Sequence, residues 1–221
     1  MSKEDKQNCE LDEESIALPV ASPFGPASPI ISVKNHVYLY DDINVTTARA
    51  LFSVLHETAM DIINTAIENN MSIVPIVLHV NSNGGEVSAG MGIIRCIQDI
   101  QNGTIHQLGG IPIKIPVHTI IEGEADSMAS LIACVGTKRL MSKNALSLLH
   151  DVRQMGGLAG KVEDIQIASD NLALYKTQMH SIYIENSRGK LTEEKLSEIC
   201  KDEKYSTPDQ LLEWGLIDEI I

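Results

Sequence analysis

Among the residues of this chain that are able to do chemistry, Ser127 stands in the most favourable setting. It follows an apolar run, Val117 to Ile121, and the turn Glu122 to Asp126, and it opens a run of small and apolar residues, SMASLIACV at 127 to 135, that reads as a helix. The N–H groups of a helix's first turn lack helical partners, and with the helix dipole they stabilise negative charge on the oxygen of an attacked carbonyl. Gly123, Ala125, Ala129 and Ala133 keep the surroundings small. The chemistry this setting suits is acyl transfer by a serine nucleophile. The plainer reading is that Ser127 is only an N-cap, which any helix favours.

A serine nucleophile needs a base, and the chain has seven histidines. His79 and His118 lie within apolar strand-like runs, where a hydrogen-bonded core histidine is the ordinary role. His36, His56, His106 and His180 flank loops or helical surfaces. His150 ends the run Ala145 to Leu149 and precedes a glycine-bearing loop, so it should emerge at a sheet edge beside other loops. Its plainer reading is a strand-end surface residue. A carboxylate should then fix the imidazole tautomer, and Asp202 or Glu203 is available from a late loop. A second turn, Asn81 to Gly85, brings Gly84 and Gly85, whose missing side chains admit a substrate backbone and leave an N–H to point at it.

The elements that must carry these residues are legible in the hydrophobic pattern. Ile73 to Val80 is a nearly continuous apolar run, as in a strand buried on both faces, and Val87, Met91, Ile94, Ile97 and Ile100 follow it at helical spacing. Val117 to Ile121, a turn and the helix from Ser127 repeat the unit. The fold class is therefore α/β, with repeated right-handed βαβ units on a mostly parallel sheet, and ligands of such sheets gather at the carboxyl ends of the strands. Val37 to Tyr40 reads as a short strand and Thr46 to Asn69 as a helix turning Ala50, Val54, Met60, Ile63 and Ile67 inward. Lys138 to Met141 and Ala145 to Leu149 read as strands. Ile165 to Ser187 is a helix long enough to protrude, with Ile165, Ala168, Leu172, Tyr175, Met179 and Ile182 on one stripe, and short helices at Leu191 to Ile199 and Pro208 to Trp214 close the chain.

Composition limits the function. The 221 residues, 43% hydrophobic, suffice for one domain with a sizeable core. Residues 1–34 differ, an acidic segment leading into a Pro-Ala-Ser stretch, and read as an arm before a domain at 35–221. A formal charge of −13 without a cationic cluster argues against nucleic acid. Pro19, Pro23, Pro26 and Pro29 break the one uncharged stretch of spanning length, and the acidic start is unlike a secretory signal, so no membrane partner is expected. Cys9, Cys96, Cys134 and Cys200 form no CxxC pair, which fits a reducing cytoplasm. Neither a P-loop nor GxGxxG is present, and no histidines stand at ligand spacing, so no nucleotide, cofactor or metal is expected.

These residues also resemble a known family, the ClpP family of serine peptidases, whose fold it shares with the crotonases. HVNSNGGEVSAGMGI (79 to 93) is similar to its Gly-Gly oxyanion loop, GEADSMASLIACVG (123 to 136) to its nucleophile block, and LSLLHD (146 to 151) to the strand carrying the base. MGGLAGKVEDI (155 to 165) is similar to its glycine strand and helix entry, and TPDQLLEWGLIDEII (207 to 221) to its C-terminal close. The blocks are collinear from about residue 35. The resemblance implies Ser127 as nucleophile, His150 as general base, Gly85 and Met128 N–H groups as the oxyanion hole, and Gly84, Gly156 and Gly157 against the substrate. The orienting carboxylate falls on Glu203, with Asp202 the alternative. The chain departs from the pattern at Asp126, at Asp151-Val152 after the base, and in the added stretch GTIHQLGGIPIKI, which reads as a hairpin.

The resemblance further implies a serine endopeptidase acting on proteins or peptides in a homo-oligomeric chamber of stacked rings, commonly sevenfold. The long helix would lie between rings, and a separate AAA+ unfoldase would supply ATP-driven work. The departures motivate two alternatives: a ClpP-like head-maturation or processing protease working without an unfoldase, and a catalytically impaired ring subunit. A crotonase-like acyl-CoA enzyme would share the fold but not the serine block.

Overall fold

The computed structural model describes residues 30–154 and 160–221; the expected arm up to residue 29, and Gly156 and Gly157, lie outside the described residues. The chain order begins with β1 (Ile31–Val33), β2 (His36–Leu39), α1 (Val45–Asn69), β3 (Ile76–Ser82) and α2 (Val87–Asn102). A hairpin of β4 (Gln107–Leu108) and β5 (Ile111–Pro112) precedes β6 (Val117–Asp126), α3 (Met128–Cys134), β7 (Lys138–Met141) and β8 (Leu146–Leu148). The last elements are α4 (Val162–Asn186), α5 (Glu193–Asp202), β9 (Tyr205–Ser206), α6 (Pro208–Glu213) and β10 (Glu219–Ile220).

The main sheet runs β1-β2-β3-β6-β7-β10. β2, β3, β6, β7 and β10 are parallel, while β1 adds antiparallel to β2. The apolar runs expected as strands thus form the α/β sheet, with Val37, Leu39, Ile76, Leu78, Val80, Val117 and Ile121 in its buried layer. The added stretch at residues 103 to 115 forms the expected hairpin, turning at Gly109 and Gly110, both at positive φ as a two-residue turn requires.

Strand β6 departs from its expected length. Residues 122 to 126 were expected as a turn, but the strand continues through them to Asp126. The cause is a change of partner. His118 to Ile121 pair with β7, whereas Glu124, Ala125 and Asp126 pair with Leu146, Ser147 and Leu148 of β8. A register shift opposite Val80 and Ser82 bends the strand between the two pairings. Hydrogen bonding therefore holds the backbone extended up to the residue before Ser127.

Helix α1 is capped by Asn44, whose side chain accepts from the N–H groups of Thr46 and Thr47. Its buried stripe is Thr47, Leu51, Leu55, Thr58, Ala59, Ile62 and Ile63. This overturns the expected inward positions Met60 and Ile67, which are exposed; the periodicity was right and its phase was one residue off in the first turns. Helix α4 is more unusual. Of its 25 residues only Met179, His180 and Tyr183 are buried, and Ile165 and Tyr175 of the expected apolar stripe are exposed. The first four turns leave the core, and only the end of the helix packs against it.

Candidate active site

Ser127 occupies the single residue between β6 and α3, and its backbone adopts φ 55° and ψ −122°. An L-residue rarely takes this conformation, which belongs to the first central position of a type II′ turn, where glycine is favoured. Three contacts impose it. The Ser127 N–H donates to the Leu148 carbonyl at 2.8 Å, its carbonyl accepts from Leu131 N–H at 3.2 Å, and the same carbonyl accepts from Ser130 Oγ at 2.7 Å. The Ser127 side chain makes no capping hydrogen bond to the helix it precedes. Ser127 thus stands at the N-cap position of α3 without capping it, and it lines a cleft of about 710 Å³ that His150 also lines.

Around this turn the glycines act through close approach. A β-carbon on Gly84, at φ +87°, would stand 2.4 Å from the Asp126 carbonyl oxygen and 2.8 Å from the Ser127 β-carbon. Gly85 bridges Ile43 in parallel fashion: Ile43 N–H donates to Gly84 O, and Glu86 N–H donates to Ile43 O, each at 2.7 Å. In such a bridge the central residue's own N–H points to the opposite side, so that of Gly85 turns away from Ile43. Met128 is the first residue of α3, and its N–H has no helical acceptor. Gly84, Gly85, Ser127 and His150 thus come together around one cleft, with Met128 directly behind the serine.

His150 Nδ1 lies 2.6 Å from the backbone carbonyl of Asp151. A carbonyl only accepts, so Nδ1 carries the proton and the neutral ring presents an unprotonated Nε2, the form a general base requires. Ser127 and His150 share the cleft without a hydrogen bond between them, a looseness common in unliganded sites.

The two carboxylates named for the third position sit elsewhere. Glu203, in the left-handed C-cap of α5 at φ 49°, pairs with Arg153 on the rim of the cleft, and Asp202 pairs with Lys204 at 3.3 Å. Neither is hydrogen-bonded to His150. Their placement follows from local charge: a cation stands beside each, whereas His150 is already satisfied by the peptide next to it.

Asp126, where the chain departs from the family pattern, does not line the cleft. It is buried, and its Oδ1 accepts from Leu148 N–H at 2.8 Å on the β8 side of the strand. Burial, with the neighbouring Glu124 charge, pushes its carboxyl up to about 6. Tyr183 was not singled out from the sequence. Its hydroxyl, fully buried at the end of α4, lies 2.5 Å from Ser130 Oγ and donates to the Ser127 carbonyl at 3.3 Å. It is a positioning residue for the turn. The one readable signal was a tyrosine four residues after Met179 on the helix's inner edge.

Histidines expected at surfaces behave differently in two cases. His106 is buried and lies 3.1 Å from His56 Nδ1, and His180 is buried between Asp151 and Glu193. His79, as expected, is a hydrogen-bonded core residue, linking His36 at 2.8 Å to Glu122 at 2.6 Å.

The family model for Clp protease matches residues 30–221. The chain belongs to the Clp protease family. Its relatives include the ATP-dependent Clp protease proteolytic subunits of Streptococcus thermophilus and Streptococcus pneumoniae, each 35% identical over 150 residues, or 66% of this chain and 68% of theirs. Membership identifies a ClpP-like serine peptidase, and the mostly parallel sheet, with six helices among the described residues, is the corresponding fold. Within the Clp protease family, this chain combines a serine at a strained strand-to-helix turn with a histidine whose partner is a peptide carbonyl.

Proposed function

We propose that this Clp protease family member hydrolyses peptide bonds with Ser127 as nucleophile and His150 as general base, through an acyl-enzyme on Ser127. The observation that carries the reading is the Ser127 backbone itself: positive φ, a hydroxyl that makes no capping bond, and a place in the lining of the cleft that His150 also lines. Attack on the substrate carbonyl passes the Ser127 proton to His150 Nε2, and the imidazolium later returns it to the leaving amine. The N–H groups of Gly85 and Met128 receive the oxyanion, and substrate binding is assigned to Gly84, Gly156 and Gly157. The Asp151 carbonyl holds the His150 tautomer. Glu203, with Asp202 as its neighbour, reaches the ring only by leaving its cation.

Residues 35–221 are the peptidase domain of this reading, with residues 1–34 appended, and of the latter β1 (Ile31–Val33) adds to the edge of the main sheet. The chain works in a homo-oligomeric chamber, built from stacked rings, and the exposed first turns of α4 supply contact between rings. The exposed Val162, Ile167 and Leu174 support that role. A separate unfoldase delivers substrate, in keeping with the ATP-dependent relatives and the absence of a nucleotide motif from this sequence. A cytoplasmic setting fits the unpaired Cys96, Cys134 and Cys200, and among the described residues no helix is long and apolar enough to cross a membrane.

The test is a fluorophosphonate serine probe followed by intact mass, on the protein and on Ser127→Ala and His150→Ala. One adduct per chain, lost in the first variant and strongly slowed in the second, is expected. Equal labelling of Ser127→Ala would overturn the assignment.

A further inference from the structure

Three side chains with metal-ligating atoms converge beside the cleft, and peptide hydrolysis uses none of them. Asp151 follows β8, His180 lies in the last turns of α4 and Cys200 in the last turn of α5, and one ligand atom from each falls within 4.8 Å of the others. Sequence spacing hid the group, because Asp151 and His180 are 29 residues apart and each comes from a different element.

We propose that Asp151 Oδ1, His180 Nε2 and Cys200 Sγ form a binding site for a divalent zinc ion. The donor set is the first argument. One thiolate, one imidazole and one carboxylate suit zinc in tetrahedral geometry, the thiol selecting against magnesium and calcium. Bond lengths of about 2.0 to 2.3 Å place neighbouring ligand atoms roughly 3.5 Å apart, so the Asp151–His180 pair at 2.9 Å opens slightly and the wider separations, at most 4.8 Å, close by little more than about an ångström. The arrangement behind the ligands is the second argument. His180 Nδ1 lies 2.6 Å from Glu193 Oε1, which fixes the ring with Nε2 toward Asp151 at 2.9 Å. A carboxylate on the far nitrogen of a ligating histidine is the usual outer support of a zinc site. Burial is the third: His180 and Cys200 are buried, whereas Asp151 is half-buried and gives the ion its path in, with a fourth position left for water.

Lys176 is the competitor. Its Nζ lies 2.7 Å from Asp151 Oδ2, and the pair is partly exposed on both sides. Such pairs hold weakly, and the four-carbon stem of Lys176 lets the ammonium swing to solvent. On binding, the Cys200 thiol gives its proton to solvent and His180 presents Nε2 unprotonated, so the site loads less well at low pH. The Asp151 carbonyl holds His150, so the ion would sit one peptide unit from the base.

The test uses the full chain, with cobalt(II) as spectroscopic probe and zinc in competition with a chromophoric chelator. One equivalent per chain is expected, with the near-ultraviolet absorption of a cobalt–thiolate bond, displaced by zinc. Cys200→Ser should abolish that absorption. Glu193→Gln, which alters an exposed residue outside the ligand set, should weaken zinc binding by about 10- to 100-fold. Lys176→Met should tighten it several-fold. A thiolate band that persists in folded Cys200→Ser, or no band with excess cobalt, overturns the proposal. If Cys200→Ser does not fold, Glu193→Gln decides: unchanged affinity overturns the site.

Discussion

The α-carbon of Gly84 and the side chain of Ser127 are so close that a methyl group on the first would stand 2.8 Å from the β-carbon of the second. The glycine loop after β3 and the nucleophile turn after β6 are thus one packed unit, and each limits where the other can go.

Gly84→Ala tests that coupling. The new methyl meets backbone at 2.4 Å, and φ +87° is unfavourable for alanine, so the loop must move away from Ser127. Displacement of about an ångström costs on the order of a hundredfold in rate. The labelling rate of Ser127 by the serine probe should fall by that order while circular dichroism stays unchanged; an undiminished rate would separate the loop from the site.

Ser127→Gly should be inactive and more stable. Serine at φ 55° and ψ −122° carries strain of about 1–3 kcal/mol, which glycine relieves at an unfolded-state cost of about 0.5–1 kcal/mol. A net gain of about 1 kcal/mol raises Tm by roughly 2–4 °C. Ser127→Ala keeps the strain and should melt near the parent temperature. Equal Tm values for the two variants would contradict stored strain at the nucleophile.

The site separates the two imidazole partners. Because His150 Nδ1 bonds the Asp151 carbonyl and Glu203 pairs with Arg153, Glu203→Gln should lower kcat by about tenfold or less. His150→Ala removes the base and should cost roughly a thousandfold or more. Comparable losses in both would place Glu203 on the imidazole during turnover.

The pH dependence of stability should carry the mark of Asp126. Its folded carboxyl is raised to about 6 by burial, then by Glu124, so the folded chain holds a proton that the unfolded chain releases between about pH 4 and 6. The sign follows: this group's contribution is fully present below pH 4 and is lost as pH rises through 6. Asp126→Asn retains an acceptor for Leu148 N–H and avoids the buried charge. It should be more stable than the parent at pH 7 by on the order of 1 kcal/mol and equal to it near pH 4, as read by urea midpoints at the two pH values.

Much of this architecture was legible because buried parallel strands write themselves as apolar runs. Ile76 to Val80 and Lys138 to Met141 fall where expected, and Ser127 and His150 stand at strand ends, where such sheets place chemistry. Residues 122 to 126 were read as a turn because Glu122, Gly123 and Glu124 interrupt the apolar pattern; no local signal announces that β6 changes partners from β7 to β8. The surroundings of His180 escaped for a similar reason. Its charged neighbours Asp151 and Glu193 come from other elements, and a histidine on an otherwise exposed helix looks solvated until its end is seen to enter the core. The tautomer of His150 depends on a peptide carbonyl, which every sequence position offers and none advertises.

Helix α4 is a lever with its fulcrum at the nucleophile. From Val162 to the buried Tyr183, whose hydroxyl touches the Ser127 carbonyl, the rod is about 30 Å long at 1.5 Å per residue. A tilt of one degree about Tyr183 displaces the far end by about 0.5 Å, and clamping that end confines the pivot to correspondingly small rotations. The solvent-exposed outer turns and the Ser127 carbonyl are thus joined through one continuous helix, whose inner end is held at Tyr183.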